Sequence, residues 1–188
     1  MHEVSLGYTI ADYLSGGSVE ATTYEDLRQA IARMLVERKG YPASRLRSKV
    51  QVTFPVGEGC YTRTVDLVAC DDKDRPLVLI LFCAGEVETY VREALAAARL
   101  LEAGAPPLAV VTDTRSAVLL SVGDGLQMES RAYQALPDWG RLQEIAGQVP
   151  TYELTEKRRI MEGRLLYALS ELRSCCGDEC ETSGSGGG

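Results

Sequence analysis

The chain has 188 residues, 45% of them hydrophobic and 25% charged, with a formal net charge of −7. That content suits one domain able to bury a core, and the acidity excludes a protein that grips nucleic acid by charge alone. Leu77 to Ala84, the longest apolar run, is far shorter than the ~20 residues that span a bilayer, and Met1-His2-Glu3-Val4 has no signal-peptide character, so we expect no membrane partner and a cytoplasmic location.

Residues 1–21 read as an irregular arm, broken by Gly16-Gly17. Thr22 and Thr23 then offer helix caps, with Glu25 and Asp26 in the first turn where carboxylates meet the positive helix end. Leu27, Ile31, Met34 and Leu35 recur at helical spacing up to Arg38, and Gly40 followed by Pro42 ends the helix. Three strand-like segments follow: Val50–Phe54, Thr62–Ala69 and Leu77–Cys83. Turns at Gly57–Gly59 and Asp71–Asp74 separate them. The third segment is continuously apolar, as a central strand covered on both faces would be. Glu88–Glu102, dense in Ala and Leu, is a second helix. Leu108–Thr112 and Ala117–Ser121 are two more strands, and the order from Leu77 to Thr112 suits a right-handed parallel crossover. A short helix is expected after Pro137, and a long one over Lys157–Leu172. We therefore expect an α/β fold, a mixed central sheet of about five strands flanked by helices. The arm covers 1–21, the domain 22–150, a C-terminal helical segment 151–175 and a flexible Cys/Gly/Ser tail 176–188.

Six cysteines and the lone His2 make a poor metal set. Cys70 and Cys83 lie in or beside apolar strands, where a thiol behaves as a small hydrophobe. Cys60 sits in a turn. Only Cys175, Cys176 and Cys180 cluster, one ligand short of the usual structural zinc site. With no histidine downstream of Cys83, a Cys–His hydrolase is excluded. Between Arg38 and Lys49, the cations Arg38, Lys39, Arg45, Arg47 and Lys49 run without an acidic residue. They form either a phosphate-facing patch or a solvated helix end and loop.

The stretches Glu25–Gln29, Leu35–Glu37 and Gly40–Pro42, then Val65–Ala69, Pro76–Ile80 and Pro107–Asp113, together resemble the N-terminal domain of type I restriction enzyme R subunits. The resemblance covers roughly residues 20–125 and implies a restriction-endonuclease-like fold of the PD-(D/E)XK superfamily. In that superfamily an Asp and a Glu on neighbouring strands hold magnesium, and a Lys two residues after the Glu positions the attacking water. Magnesium takes hard oxygen ligands and stabilises charge on the phosphate. The resemblance places the Asp on Asp66 and an acidic position of the first helix on Glu25. It places the Glu-x-Lys on Phe82-Cys83-Ala84, which offers neither ligand nor cation.

Asp66 and Glu25 are thus the candidate catalytic side chains and Asp66 the candidate metal ligand. Each also has a plainer reading: Asp66 finishes a strand, and Glu25 complements a helix terminus. The leading expectation is a stand-alone, non-cutting nuclease fold that binds DNA or another protein subunit and needs no cofactor. The alternative is a divergent magnesium-dependent endonuclease using Asp66 with Glu25, Glu86 or Glu88, and Arg92 or Arg99 in the lysine's place. The phosphate-loop motif GxxxxGK[ST] is missing from these residues, so the chain does not hold a whole R subunit.

Overall fold

The computed structural model describes residues 3–132 and 136–175. Two strands, β1 (Ser5–Ala11) and β2 (Ser18–Thr22), open the chain, followed by α1 (Glu25–Lys39). Then come β3 (Leu46–Val56), β4 (Gly59–Cys70), β5 (Pro76–Phe82), α2 (Val91–Arg99), β6 (Leu108–Thr112), β7 (Ser116–Ser121) and β8 (Gln127–Ala132). The helices α3 (Trp139–Ala146) and α4 (Glu156–Cys175) close it. Strands β3 to β8 form one six-stranded sheet in sequence order, antiparallel except where β5 runs parallel to β6. That parallel pair is the expected crossover, with α2 between its strands.

The expected architecture holds, with two corrections. The sheet has six strands rather than about five, because Gln127–Ala132 pairs with β7 as an edge strand. The segment 1–21 is not irregular either: β1 and β2 form an antiparallel hairpin. Gly16 supplies the positive φ of its turn at 69°, and the Asp12 carboxylate accepts hydrogen bonds from the Ser15 amide and hydroxyl. One smaller difference concerns Cys60, which lies at the exposed start of β4 rather than in a turn.

Period-2 alternation divides the sheet between two cores. Leu79 and Leu81 of β5 join Val52, Phe54, Val118, the alanines of α2 and Leu166 of α4 on one face. Val78 and Ile80 join Leu35 of α1, Val110, Leu119 and Leu142 of α3 on the other. Each fully buried Leu or Ile contributes about 1.5–3 kcal/mol of transfer free energy, so both layers of helices are held by the same central strands. Gly40 ends α1 as expected, in the left-handed conformation with its amide on the Leu35 carbonyl.

One break in the alternation positions the site. The β3–β4 ladder pairs Ser48 with Leu67 and Val50 with Val65, and skips Lys49 opposite Asp66. Lys49 has φ 52°, which is uncommon for a residue with a Cβ. Across this gap β4 changes faces, since Val65 belongs to the first core and Leu67 to the second. Asp66 and Lys49 are both turned toward α1.

A guanidinium-centred candidate site

Where α1 crosses the broken ladder, three carboxylates surround one guanidinium. Arg28 is almost fully buried, its side chain 3% exposed, and donates to Asp66 Oδ1 from Nε at 3.2 Å and from Nη2 at 3.1 Å. The same Nη2 reaches Glu3 Oε1 at 3.0 Å, and Nη1 binds Glu25 Oε2, one helical turn back. The second Asp66 oxygen accepts the Phe82 amide at 2.7 Å. Lys49 Nζ lies 2.6 Å from Glu25 Oε2. Glu25 also takes the Gln29 side-chain amide, and that amide reaches Asp12 of the hairpin turn. Thr22 uses its hydroxyl twice, accepting from the Glu25 amide and donating to Glu3.

The site is therefore saturated by the protein itself. Three carboxylates face two cations, an arrangement that compensates for much of the desolvation of the buried charges. Burial pushes the Asp66 carboxyl above its ordinary value, opposed by Arg28 and by the Phe82 amide. Burial also raises Glu3, but the Thr22 hydroxyl and Arg28 outweigh it and leave that carboxyl lowered. For Arg28, desolvation is outweighed by Asp66 and Glu3, so its charge is fixed.

A cleft of about 190 Å³ opens beside this cluster. Asp66, Arg28 and Glu3 lie on its wall, together with Arg63, Glu93 and the aromatic rings of Tyr24, Tyr90 and Phe82. Arg63 of β4 and the buried Glu93 of α2 form an ion pair at 2.9 Å. Tyr24 packs on Phe82 with ring centroids 5.3 Å apart. Burial raises the Tyr24 hydroxyl, which stays protonated through neutral pH.

The structure brings Asp66 and Glu25 together, but through Arg28 rather than around an open position. Phe82 presents a ring to the cleft, Cys83 is buried, and Ala84 is exposed. Glu86 and Glu88 are exposed and do not line the cleft; nor do Arg92 and Arg99. Its cations are Arg28 and Arg63, residues that sequence reasoning passed over. Glu93 was passed over too. The signal available for Arg28 was its i,i+3 spacing from Glu25, which occurs on many solvated helix faces.

A magnesium ion does not fit this set. Both Asp66 oxygens are engaged, Phe82 and Ala84 carry no donor, and every polar hydrogen-bonding arm of Arg28 lies among the carboxylates. Among the described residues no group of three or more His, Cys, Asp and Glu side chains could hold a metal ion. The Cys175, Cys176 and Cys180 cluster lies outside the described side chains.

The five cations between Arg38 and Lys49 go to separate places. Lys39 Nζ donates to the Leu136 carbonyl at 2.8 Å, and Arg45 to the Asp71 carbonyl at 3.0 Å. Arg47 pairs with Asp74 at 2.9 Å, and Lys49 enters the Arg28 cluster. Arg38 is exposed at the end of α1. Among the described residues, no helix is long and apolar enough to cross a membrane.

A mixed α/β sheet with a carboxylate cleft beside its strands β4 and β5 defines the class. The chain matches the family described as type I restriction enzyme R protein N terminus over residues 23–137, and it belongs to that family. No curated protein and no solved structure matches it.

Proposed function

We propose that this chain is a nuclease-like domain of the PD-(D/E)XK kind that does not cut, and that it acts by binding a nucleic acid or another protein subunit. One observation carries the reading: the only strand carboxylate in the family's metal position, Asp66, has one oxygen on the Arg28 guanidinium and the other on the Phe82 amide. A metal ion would have to displace a buried, permanently charged arginine from three carboxylates. Phosphodiester hydrolysis without that metal lacks the means to stabilise the charge that builds on phosphate. Between the two kinds of partner, charge favours a protein. The chain carries −7, and four of its five clustered cations already serve internal acceptors.

The test is calorimetric titration of magnesium and manganese into wild type and Asp66→Ala, with plasmid nicking on the same samples. The expected result is no metal heat and no nicking from either protein. Metal binding and nicking that both vanish in Asp66→Ala would overturn the reading. They would establish instead the divergent magnesium-dependent endonuclease, for which the buried Glu93 in the same cleft is the one favourable observation. Binding to duplex DNA that weakens with salt and is lost in Arg38→Glu would move the partner from protein to nucleic acid.

A further inference from the structure

The hairpin, the first helix and the sheet converge on one side chain. Glu3 stands just before β1, Glu25 opens α1, and Asp66 sits at the gap in the β3–β4 ladder. All three reach Arg28. We infer that Arg28 is the resident cation of this cluster, doing the structural work of a divalent ion and latching the β1–β2 hairpin to the domain. The inference rests on the non-cutting reading above and goes beyond it, because it assigns a role to the side chain that excludes the metal.

Two quantities support the assignment. Glu3 Oε1 and Asp66 Oδ1 meet at a single nitrogen, Nη2, at 3.0 and 3.1 Å. A calcium ion at that point needs oxygens at about 2.3–2.6 Å, so these two carboxylates would each have to close in by only about half an ångström, while Glu25, bonded to Nη1, would have to move farther. Magnesium and manganese demand shorter bonds and stricter geometry. The second quantity is charge. Three carboxylates with Arg28 and Lys49 leave one negative charge, whereas a divalent ion in place of Arg28 would leave none. The guanidinium is nevertheless the better latch for a metal-free domain. Its planar fork satisfies several oxygens at once, and no pH change within the protein's range can remove its charge.

Other ties of the hairpin lie at its turn and second strand: the Tyr13 hydroxyl reaches Glu37, its ring lies 5.1 Å from Arg33, Tyr13 and Leu14 pack against the second core, and Ala21 is buried. The Thr23 amide bonds the Val4 carbonyl, the Val4 amide returns to the Thr23 hydroxyl, and Gln29 bridges Asp12 and the Tyr13 amide. Val4, just before β1, and Leu6 and Tyr8 on it are exposed and bury little against the domain. Arg28 is the tie at Glu3, so removing it should free the start of the hairpin before it unfolds the sheet.

The experiment compares full-length wild type, Arg28→Ala and Arg28→Ala/Asp66→Asn. Calcium is titrated by calorimetry, and proteolysis within residues 3–22 is timed with and without calcium. Wild type should take no calcium, and its hairpin should resist cleavage equally in both conditions. Arg28→Ala should lose hairpin protection at least tenfold, bind calcium with a dissociation constant on the order of 10⁻⁴ M, and regain protection when calcium is added. The double variant should bind calcium at least tenfold more weakly. If Arg28→Ala does not fold in chelator, calcium-driven refolding supports the assignment. Arg28→Ala/Glu25→Gln then repeats the titration with one fewer buried charge. A folded Arg28 variant with a closed hairpin and no calcium binding overturns the latch, and so does one that calcium neither binds nor restores. Either result leaves the non-cutting reading intact. Calcium or magnesium binding by wild type that disappears in Asp66→Ala would instead defeat that reading.

Discussion

Two arginines fasten outer elements to the central sheet, Arg28 buried and Arg99 half-buried, and they are solvated in different ways. Arg28 sits among Glu3, Glu25 and Asp66, so its partners are charges drawn from three separate elements. Arg99, at the end of α2, has one carboxylate, Glu162 of α4 at 2.8 Å. Its remaining arms are met by neutral groups: Nε and Nη2 donate to the Val122 carbonyl at 3.1 and 3.0 Å, and the Tyr152 ring lies 4.7 Å away. The second arrangement is a clasp that fastens the C-terminal helix to the sheet. Its neutral acceptors survive loss of the arginine by turning to water. The first arrangement has no such retreat, because three negative charges remain behind.

That contrast sets the order of the expected effects. Arg28→Met should destabilise by about 3–5 kcal/mol, the range for removing one partner of a buried ion pair. Arg99→Met should cost about 1.5–3 kcal/mol, the range for hydrogen bonds to a charged group. Urea unfolding followed by fluorescence would measure both. The comparison breaks if Arg99→Met proves the more damaging of the two, since neutral acceptors would then matter more than uncompensated charge. Asp66→Asn sharpens it. The amide can keep a bond to Arg28 while removing one negative charge from a cluster that carries one in excess, so its cost should be well below that of Arg28→Met.

The scaffold was far more legible in the sequence than the site. Central elements were readable because they are built from long apolar repeats: Leu108–Thr112 agrees residue for residue with β6, and the α1, β5 and α4 segments fall within a few residues of their observed limits. The hairpin was missed although Val4, Leu6, Tyr8 and Ile10 alternate correctly. Gly16-Gly17 reads as a break in any pattern but serves as the turn. Strand β8 was missed because an edge strand is half solvated and Gln127-Met128-Glu129 carries little apolar signal. For the site, sequence identified Asp66 and Glu25 but not the arginine between them. On a helical wheel Arg28 looks like any surface cation. Only the local reversal at Lys49, a left-handed residue with no glycine to announce it, turns Asp66 toward α1 and closes the cluster.

A substitution at Gly123 would sharpen the comparison from the clasp side. A Cβ on this residue would collide with the Pro150 carbonyl oxygen, a backbone atom that cannot rotate away. Gly123→Ala must therefore push the 150–155 segment, and α4 behind it, off the sheet next to the Val122 carbonyl that Arg99 holds. Overpacking of this kind costs about 1–3 kcal/mol. The loss should be smaller in an Arg99→Met background, where the clasp is already open, and undiminished with Arg28→Met. A double-mutant cycle reads this directly. Equal coupling of Gly123→Ala to both arginines would mean the two regions do not behave as separate fastenings.

The smallest effect is a difference in pH sensitivity, and the two regions should respond at opposite ends of the scale. Glu3 and Asp12, which tie the hairpin down, are both held below their ordinary values of 4.5 and 3.8. For Glu3 burial works the other way and is outweighed by the Thr22 hydroxyl and Arg28. For Asp12 burial is likewise outweighed, by Ser15 and Gln29. A lowered acid adds stability above its unfolded value and loses it as pH falls through the folded one. The hairpin should thus open in acid, as pH falls below those ordinary values. Asp66 runs in the opposite sense: its raised value favours the protonated form, so acid moves the strand carboxylate toward a state that the fold tolerates. At the clasp, burial and Glu162 raise Tyr152 above its ordinary 10.0. That contribution is complete below pH 10 and fades as the phenol ionises, loosening α4 in alkali. Amide hydrogen exchange at acid and alkaline pH, corrected for intrinsic rates, should therefore show protection lost first in residues 5–22 under acid and first in 152–170 under alkali. Simultaneous loss in both segments at either extreme would place hairpin and clasp in one cooperative unit and remove the distinction between the two arginines.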